Sequence, residues 1–270
     1  MRFSSTIKTI SIISLLLLIN YSCKKDKSTD TSSTNNIIFT FTQKVDGSSL
    51  KFDTLMYRTS IGNIYMITDL QYFISRVSLH TLNGGWNAIS TEDGIHYIDA
   101  SDNKSCTWWV NDNFPSTTID SVSFVFGIDE QQNTSGRFPD PPQRDMFWPD
   151  MLGGGYHYMK MNMKWENDTM AHSQPFMFHL GIGQIYQGTT SNPDSIIGFV
   201  QNYFKVSLPC DPYLVTDGDH QIILQMNIEK WFEGQDVFDF RLYPNGIMQD
   251  QQGMALACKN GIKAFSLVIK

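Results

Sequence analysis

Imidazole and thioether side chains are the groups in this chain with the most specific binding chemistry. The sequence contains 6 His and 13 Met among 270 residues. Imidazole nitrogen binds copper in general, and thioether sulfur selects Cu(I). If residues 176–180 form a strand, alternation places three apolar side chains on one face and leaves Met177 and His179 together on the other. His179 is therefore the first candidate for a metal ligand, with Met177 beside it.

Two further histidines stand at the ends of predicted strands. His96 follows Asp93-Gly94 and begins the segment H-Y-I-D-A, and His80 closes the strand that starts at Leu70. A residue at a strand end can face a neighbouring loop, so both are candidate ligands, and Met146 in a long loop is a candidate sulfur ligand. We expect the remaining histidines at the surface or in solvated loops: His157, His172 and His220.

A cluster of methionines later in the chain has a simpler interpretation. Met159, Met161 and Met163 alternate with polar residues in the pattern of a half-buried strand. Methionine fills irregular cores readily. We therefore predict that these three side chains form part of the core and do not bind copper.

Period-two alternation recurs along the chain and predicts the fold class. Residues 122–128 and 222–228 alternate as antiparallel strands do, and Asp46-Gly47 accepts the positive φ of a hairpin turn. Long helical periodicity is absent from the sequence. We predict an all-β protein, an antiparallel two-sheet β-sandwich with long loops, the longest covering residues 131–155.

The first residues indicate export. Arg2 and Lys8 precede an apolar run too short to span a bilayer, as in a secretory signal peptide. The segment ending in Ser22-Cys23 resembles a bacterial lipoprotein cleavage site, which implies lipidation of Cys23. We predict a signal peptide at 1–22, a disordered polar tether at 23–36 and a β domain at 37–270. The lipid would anchor the protein to the outer membrane or cell surface, facing the periplasm or the exterior.

Charge and cysteine content restrict the partners and the covalent cross-links. The chain has 27 acidic and 20 basic residues, a net charge of −7, which argues against a nucleic-acid partner. Without Cys23, three cysteines remain: Cys106, Cys210 and Cys258. In an oxidising compartment we expect one disulfide and one free thiol. The sequence does not choose among the pairings, although Cys210 with Cys258 is preferred, and the free thiol is an alternative copper ligand.

Two other function classes have sequence features of their own. The chain lacks G-x-S-x-G, H-E-x-x-H and C-x-x-C, and its acidic residues show no spacing of a catalytic pair, so we do not expect an enzyme. A glycan-binding surface lipoprotein is the main alternative. Its stacking platform would be formed by tryptophans: Trp86, Trp108, Trp109, Trp148 and Trp231. Exposed tryptophans on one sheet would favour glycans, and a histidine cluster beside the long loop would favour metal.

An ordered set of short motifs resembles one known family. G-I-D at 127–129, M-F-W at 146–148, G-Y-H-Y-M-K at 155–160 and F-H-L-G at 178–181 follow one another as they do in the MbnP-like copper-binding proteins. The resemblance implies copper bound by His179 with His96 or His80, for capture or delivery. It also implies that Trp148 can be oxidised to kynurenine by a di-haem peroxidase-like partner. Pro149-Asp150 departs from the family pattern after M-F-W, and the alternative role of Trp148 is to pack over the end of the sandwich as a loop anchor.

Overall fold

The strands of this protein are seen in a computed structural model that describes residues 35–167, 169–170, 172–188, 192–244 and 246–270. The predicted signal peptide, the lipidation of Cys23 and most of the tether lie outside these residues and stay predictions. The first strand begins at Asn35, two residues before the predicted start of the β domain. Asn35 is buried, and its side-chain amide donates to the carbonyl of Phe114 (2.9 Å).

Strands dominate the described residues, and the helices among them are short. The strands are β1 (Asn35–Val45), β2 (Ser48–Ser49), β3 (Tyr57–Arg58), β4 (Ile64–Thr81), β5 (Gly85–Ala88), β6 (Ile95–Asp99), β7 (Thr107–Phe114), β8 (Thr117–Phe126), β9 (Met159–Glu166), β10 (Gln174–Leu180), β11 (Gly183–Tyr186), β12 (Ile196–Val200), β13 (Phe204–Val215), β14 (Gly218–Asn227) and β15 (Phe265–Ile269). The α-helices are α1 (Glu229–Phe232) and α2 (Gln251–Gly261), and 3-10 turns cover Thr91–Gly94, Gln143–Met146, Asp150–Leu152, Pro193–Ser195 and Phe240–Leu242. In the described part of the chain, no helix has the length and apolar character needed to cross a membrane.

The strands form two large sheets. The first sheet has the order β15-β14-β1-β2, with β7 also paired to β1. The second sheet has the order β10-β9-β4-β8-β13, with β3, β5 and β6 also paired to β4. Strands β11 and β12 form a separate hairpin. The predicted all-β sandwich is confirmed, although β14 pairs antiparallel with β15 and parallel with β1, where the sequence suggested only antiparallel neighbours.

Aromatic and methionine side chains fill the space between the two sheets. Phe265 of the first sheet packs edge-on against Phe124 of the second, with ring centroids 5.2 Å apart. Met159, Met161 and Met163 are buried, so the prediction that they form part of the core is confirmed. The predicted hairpin turn at Asp46-Gly47 is also confirmed, because Val45 pairs with Ser48. Local alternation therefore identified the inner faces of these strands correctly.

The cysteines do not form the predicted disulfide, and all three described thiols are free. Cys106 donates to the carbonyl of Asp99 (3.4 Å) and Cys258 to that of Asn202 (3.1 Å), and Cys210 lies on β13. Burial raises the pKa of Cys106 to about 11 and that of Cys258 to about 12. The expected pairing of Cys210 with Cys258 was wrong, because both thiols are free, Cys210 on β13 and Cys258 on α2, where Cys258 donates to a backbone carbonyl instead.

Candidate metal centre

Two histidines meet on the outer face of the second sheet. His179 lies on β10, and His157 lies in the segment that leads into β9. Their ring centroids are 5.2 Å apart and the ring planes are nearly perpendicular, at 82°. Both residues are buried, with 7% of His179 and 6% of His157 exposed. The pair is therefore shielded from bulk solvent although it lies on the side of the sheet that faces away from the sandwich core.

Backbone hydrogen bonds of the long loop bring His157 to this place. The N–H of His157 donates to the carbonyl of Met146 (2.7 Å), and the N–H of Trp148 donates to the carbonyl of Gly155 (2.9 Å). The two ends of the loop thus lie side by side. The N–H of Tyr158 donates to the carbonyl of Leu180 (2.7 Å), which joins this segment to the end of β10 next to His179.

The hydrogen bond of His157 determines which ring nitrogen holds its proton. Nδ1 of His157 lies 3.0 Å from the carbonyl oxygen of Met146. A carbonyl can only accept, so Nδ1 must donate and carry the proton. The other nitrogen, Nε2, is then unprotonated in the neutral ring and has a free lone pair. It is buried without a hydrogen-bond partner among the described residues.

A chain of two hydrogen bonds determines in the same way which ring nitrogen of His179 holds its proton. Nε2 of His179 lies 2.9 Å from Oδ1 of Asn162, and Nδ2 of Asn162 donates to the carboxylate of Asp69 (3.2 Å). Because the amide N–H₂ must face the carboxylate, Oδ1 faces His179 and accepts its Nε2–H. Nδ1 of His179 is therefore also a bare lone pair, and it too is buried with no partner in the described part of the chain.

Burial keeps both rings neutral. Desolvation lowers the pKa of His157 to about 4 and that of His179 to about 3, and the nearby charge of Lys160 acts in the same direction on both. Two unprotonated nitrogens cannot hydrogen-bond to each other. Burial opposes the protonation of one ring that would allow such a bond. Metal-bound histidines almost always donate their other N–H to a carbonyl or carboxylate, or to water. The two rings show this pattern, with the amide oxygen of Asn162 as the acceptor for His179, and each keeps one nitrogen available for a cation.

Trp148 packs against this histidine pair. Its side chain is fully buried, and its ring lies edge-on to His157 with centroids 4.6 Å apart. Its indole N–H donates to the carbonyl of Leu152 (3.1 Å). On the other side the ring lies against Gly181, where an added Cβ would lie 2.6 Å from Cε3 of Trp148. The indole therefore fills the gap between the long loop and the end of β10.

Comparison with known proteins places the chain in a family. The family model described as MbnP matches residues 34–249. The chain belongs to the MbnP family. Among solved structures, MbnP from Methylosinus trichosporium is similar in fold, with a TM-score of 0.50 and 14% sequence identity over 76% of this chain and 79% of that chain. No curated protein matches the chain in sequence.

The candidate site of this MbnP family member includes a histidine that the sequence did not indicate as a ligand. We expected His157 at the surface, and the structure shows it buried against His179 and Trp148. The only indication of burial in the sequence was that two aromatic residues, Tyr156 and Tyr158, flank this histidine. The structure shows both of them buried. His220, expected in a solvated loop, is also buried, between Tyr213 (3.0 Å) and Thr216 (2.8 Å).

The structure does not bring His96 to the histidine pair. Its Nδ1 lies 3.0 Å from the carboxylate of Glu92, and its Nε2 lies 2.8 Å from the carbonyl oxygen of Ser105. The ring is also stacked between Phe41 and Trp108, at centroid distances of 5.3 and 5.0 Å. Both ring nitrogens are occupied, so His96 has no nitrogen free for a metal in this arrangement.

His80 also lies apart from the pair. Strand register places His179 opposite Lys160 and Lys160 opposite Gln71, whereas His80 is nine residues farther along β4. That separation is about 30 Å along the strand. His80 pairs instead with the carboxylate of Asp120 (2.7 Å). Across the described residues, no group of three or more His, Cys, Asp or Glu side chains is arranged to hold a metal ion.

The two candidate sulfur ligands differ in their surroundings. Met146 is fully buried, in the loop segment whose carbonyl holds His157. Met177 shares the outer face of β10 with His179, as the alternation predicted, but its side chain is 43% exposed. Of the two, Met146 is the one whose burial and position suit a site at the histidine pair.

The tryptophans do not form the platform that glycan binding would need. Trp108, Trp148 and Trp231 are buried, whereas Trp86 is 47% and Trp109 is 54% exposed. The two exposed rings belong to different sheets, Trp86 to β5 and Trp109 to β7. The histidine pair does lie beside the long loop, which is the arrangement expected of a metal site.

The lowered pKa values predict a pH-dependent stability. Both rings are neutral in the folded protein down to a pKa of about 4 for His157 and about 3 for His179, but accept protons near pH 6.5 when unfolded. Their stabilising contribution is complete above about pH 6.5 and is lost as the pH falls, because the unfolded chain then binds more protons. We expect the free energy of unfolding of the metal-free protein to be about 4 kcal/mol lower at pH 5 than at pH 7. Denaturant titrations at both values measure it.

The matched control for this measurement removes the two imidazoles. A His157→Leu/His179→Leu double variant should lose most of the difference in unfolding free energy between pH 7 and pH 5. An unchanged difference between pH 7 and pH 5 in that variant would show that other groups are responsible.

Proposed function

We propose that this protein binds Cu(I) through Nε2 of His157 and Nδ1 of His179, and holds the ion for capture or delivery outside the cytoplasm. The observation that supports this most directly is the pair of buried lone-pair nitrogens on adjacent rings, neither with a hydrogen-bond partner among the described residues. Membership of the MbnP family supports the same assignment. The extracytoplasmic location rests on the predicted signal peptide and on lipidation of Cys23.

The choice of metal follows from the charge of the ligands. Imidazole suits copper, zinc, iron and nickel, so the ligand type alone does not decide among them. Two neutral imidazoles bring no negative charge to a buried site, and an uncompensated buried charge is costly. A monovalent ion is therefore favoured over a divalent one. Cu(I) combines a single charge with affinity for imidazole and for thioether sulfur, which Met146 would supply.

A metal titration of the full chain tests the proposal. A water molecule that donates one hydrogen bond to each nitrogen would satisfy the same lone pairs, so binding must be measured directly. We expect the purified protein to take up one Cu(I) per chain under anaerobic, reducing conditions, in competition with a colorimetric Cu(I) chelator. Failure to retain copper against a weak chelator would contradict the proposal and favour water as the occupant.

The oxidation of Trp148 by a di-haem peroxidase-like partner stays a prediction. The indole is fully buried, so such a partner would have to withdraw electrons through the loop, where Phe147 and Met151 are exposed. Intact mass and a tryptic map of protein purified from its native host would reveal the modification. We expect the chain to act as a copper carrier and not as an enzyme, with the membrane reached through its lipid.

A further inference from the structure

A lysine lies next to both candidate ligands. Lys160 on β9 is directly opposite His179 on β10, and opposed residues on a strand pair share one face with Cβ atoms about 5 Å apart. Asn162, two residues along the same face, bonds to His179. The ammonium group of Lys160 donates to the carbonyl of Asp145 (3.4 Å), the residue before Met146. The lysine therefore spans from β9 to the loop segment that holds His157.

Both ends of this lysine lie at the site. Its backbone is directly opposite His179, and its ammonium group bonds to Asp145, next to the residue whose carbonyl accepts from His157. Asp69 is the acidic group in the chain of two hydrogen bonds, and the neutral amide of Asn162 separates its carboxylate from His179. A cation held between the two rings would therefore be repelled by the charge of Lys160.

We propose that Lys160 determines the charge selectivity of the site and disfavours divalent ions relative to Cu(I). This inference rests on the proposed function. The repulsion between a fixed charge and a bound ion is proportional to the charge of the ion. A lysine at this position therefore opposes Zn²⁺ twice as strongly, in free energy, as it opposes Cu(I). Zinc is the relevant competitor because imidazole binds it well.

The test compares the affinities of Cu(I) and Zn²⁺ in the wild type and in Lys160→Leu, which removes the charge without adding a donor atom. We expect the affinity for Cu(I) to rise about tenfold and that for Zn²⁺ about a hundredfold, so the preference for Cu(I) falls about tenfold. Lys160→Arg, which keeps the charge, should retain the wild-type preference. Lys160→Ala is a second neutral variant in case the leucine disturbs folding, which circular dichroism would reveal.

Lys164 provides the matched control on the same strand. It lies four residues from Lys160 on the same face of β9, about 13 Å away, and it is exposed. Lys164→Leu should leave the Cu(I) to Zn²⁺ preference within about twofold of the wild type, since solvent screens an exposed charge at that distance.

The outcomes separate this inference from the proposed function. If the wild type binds Cu(I) and both neutral variants keep its preference over Zn²⁺, the role of Lys160 is wrong and the copper site stands. An equal change in Lys164→Leu would show that net charge, and not this position, is responsible. Absence of Cu(I) binding in the wild type would overturn both proposals.

Discussion

Replacing either histidine of the pair with alanine should remove high-affinity copper binding. In His179→Ala or His157→Ala, one of two proposed ligands is lost, and the remaining imidazole alone holds the ion. Loss of a residue that only orients a metal ligand typically costs 10- to 100-fold in affinity, so loss of a ligand should cost more than about 100-fold. Competition with a Cu(I) chelator measures the affinity of each variant. The double variant should be little worse than either single one, because the two nitrogens act as one site.

His80→Ala is the matched control for this prediction. His80 is partly exposed, pairs with Asp120 and lies far along β4 from His179. We expect this variant to bind Cu(I) with wild-type affinity. Wild-type affinity in His179→Ala, together with a loss in His80→Ala, would place the site at the other end of β4 and contradict the assignment.

Trp148→Ala should be the most destabilising single change at the site. The indole is fully buried and lies against both His157 and Gly181. Truncation of a buried tryptophan to alanine leaves a cavity and typically costs 3–5 kcal/mol of unfolding free energy, so we expect about 4 kcal/mol here. The loop should also lose its support over His157, which predicts weaker copper binding in the same variant. Denaturant unfolding and the Cu(I) competition assay measure the two effects.

The same substitution at an exposed position provides the comparison. Trp109 on β7 is 54% exposed, and Trp109→Ala should change the unfolding free energy by less than about 1 kcal/mol and leave copper binding unaltered. A Trp148→Ala protein as stable as Trp109→Ala would show that the loop adjusts to fill the cavity and does not depend on the indole.

Several features of this protein follow from the sequence because they depend on neighbours along the chain. Alternation along β9 and β10 is a property of the strand itself, so the burial of Met159 and the shared face of Met177 and His179 could be read from residue order. The Asp46-Gly47 turn is equally local. The ordered motifs also predicted the family that the comparison then showed.

Tertiary structure decided which histidines meet. His157 reaches His179 through hydrogen bonds from residue 157 to 146 and from residue 158 to 180, and contacts between such distant segments leave no periodic trace in the sequence. The same non-local pairing gives His96 its carboxylate and carbonyl partners and buries Trp148 beneath the loop. The sequence alone therefore determined the fold class and the face on which His179 lies. The second histidine and the free nitrogens depend on the path of the long loop and on strand register, which only the packed structure determines.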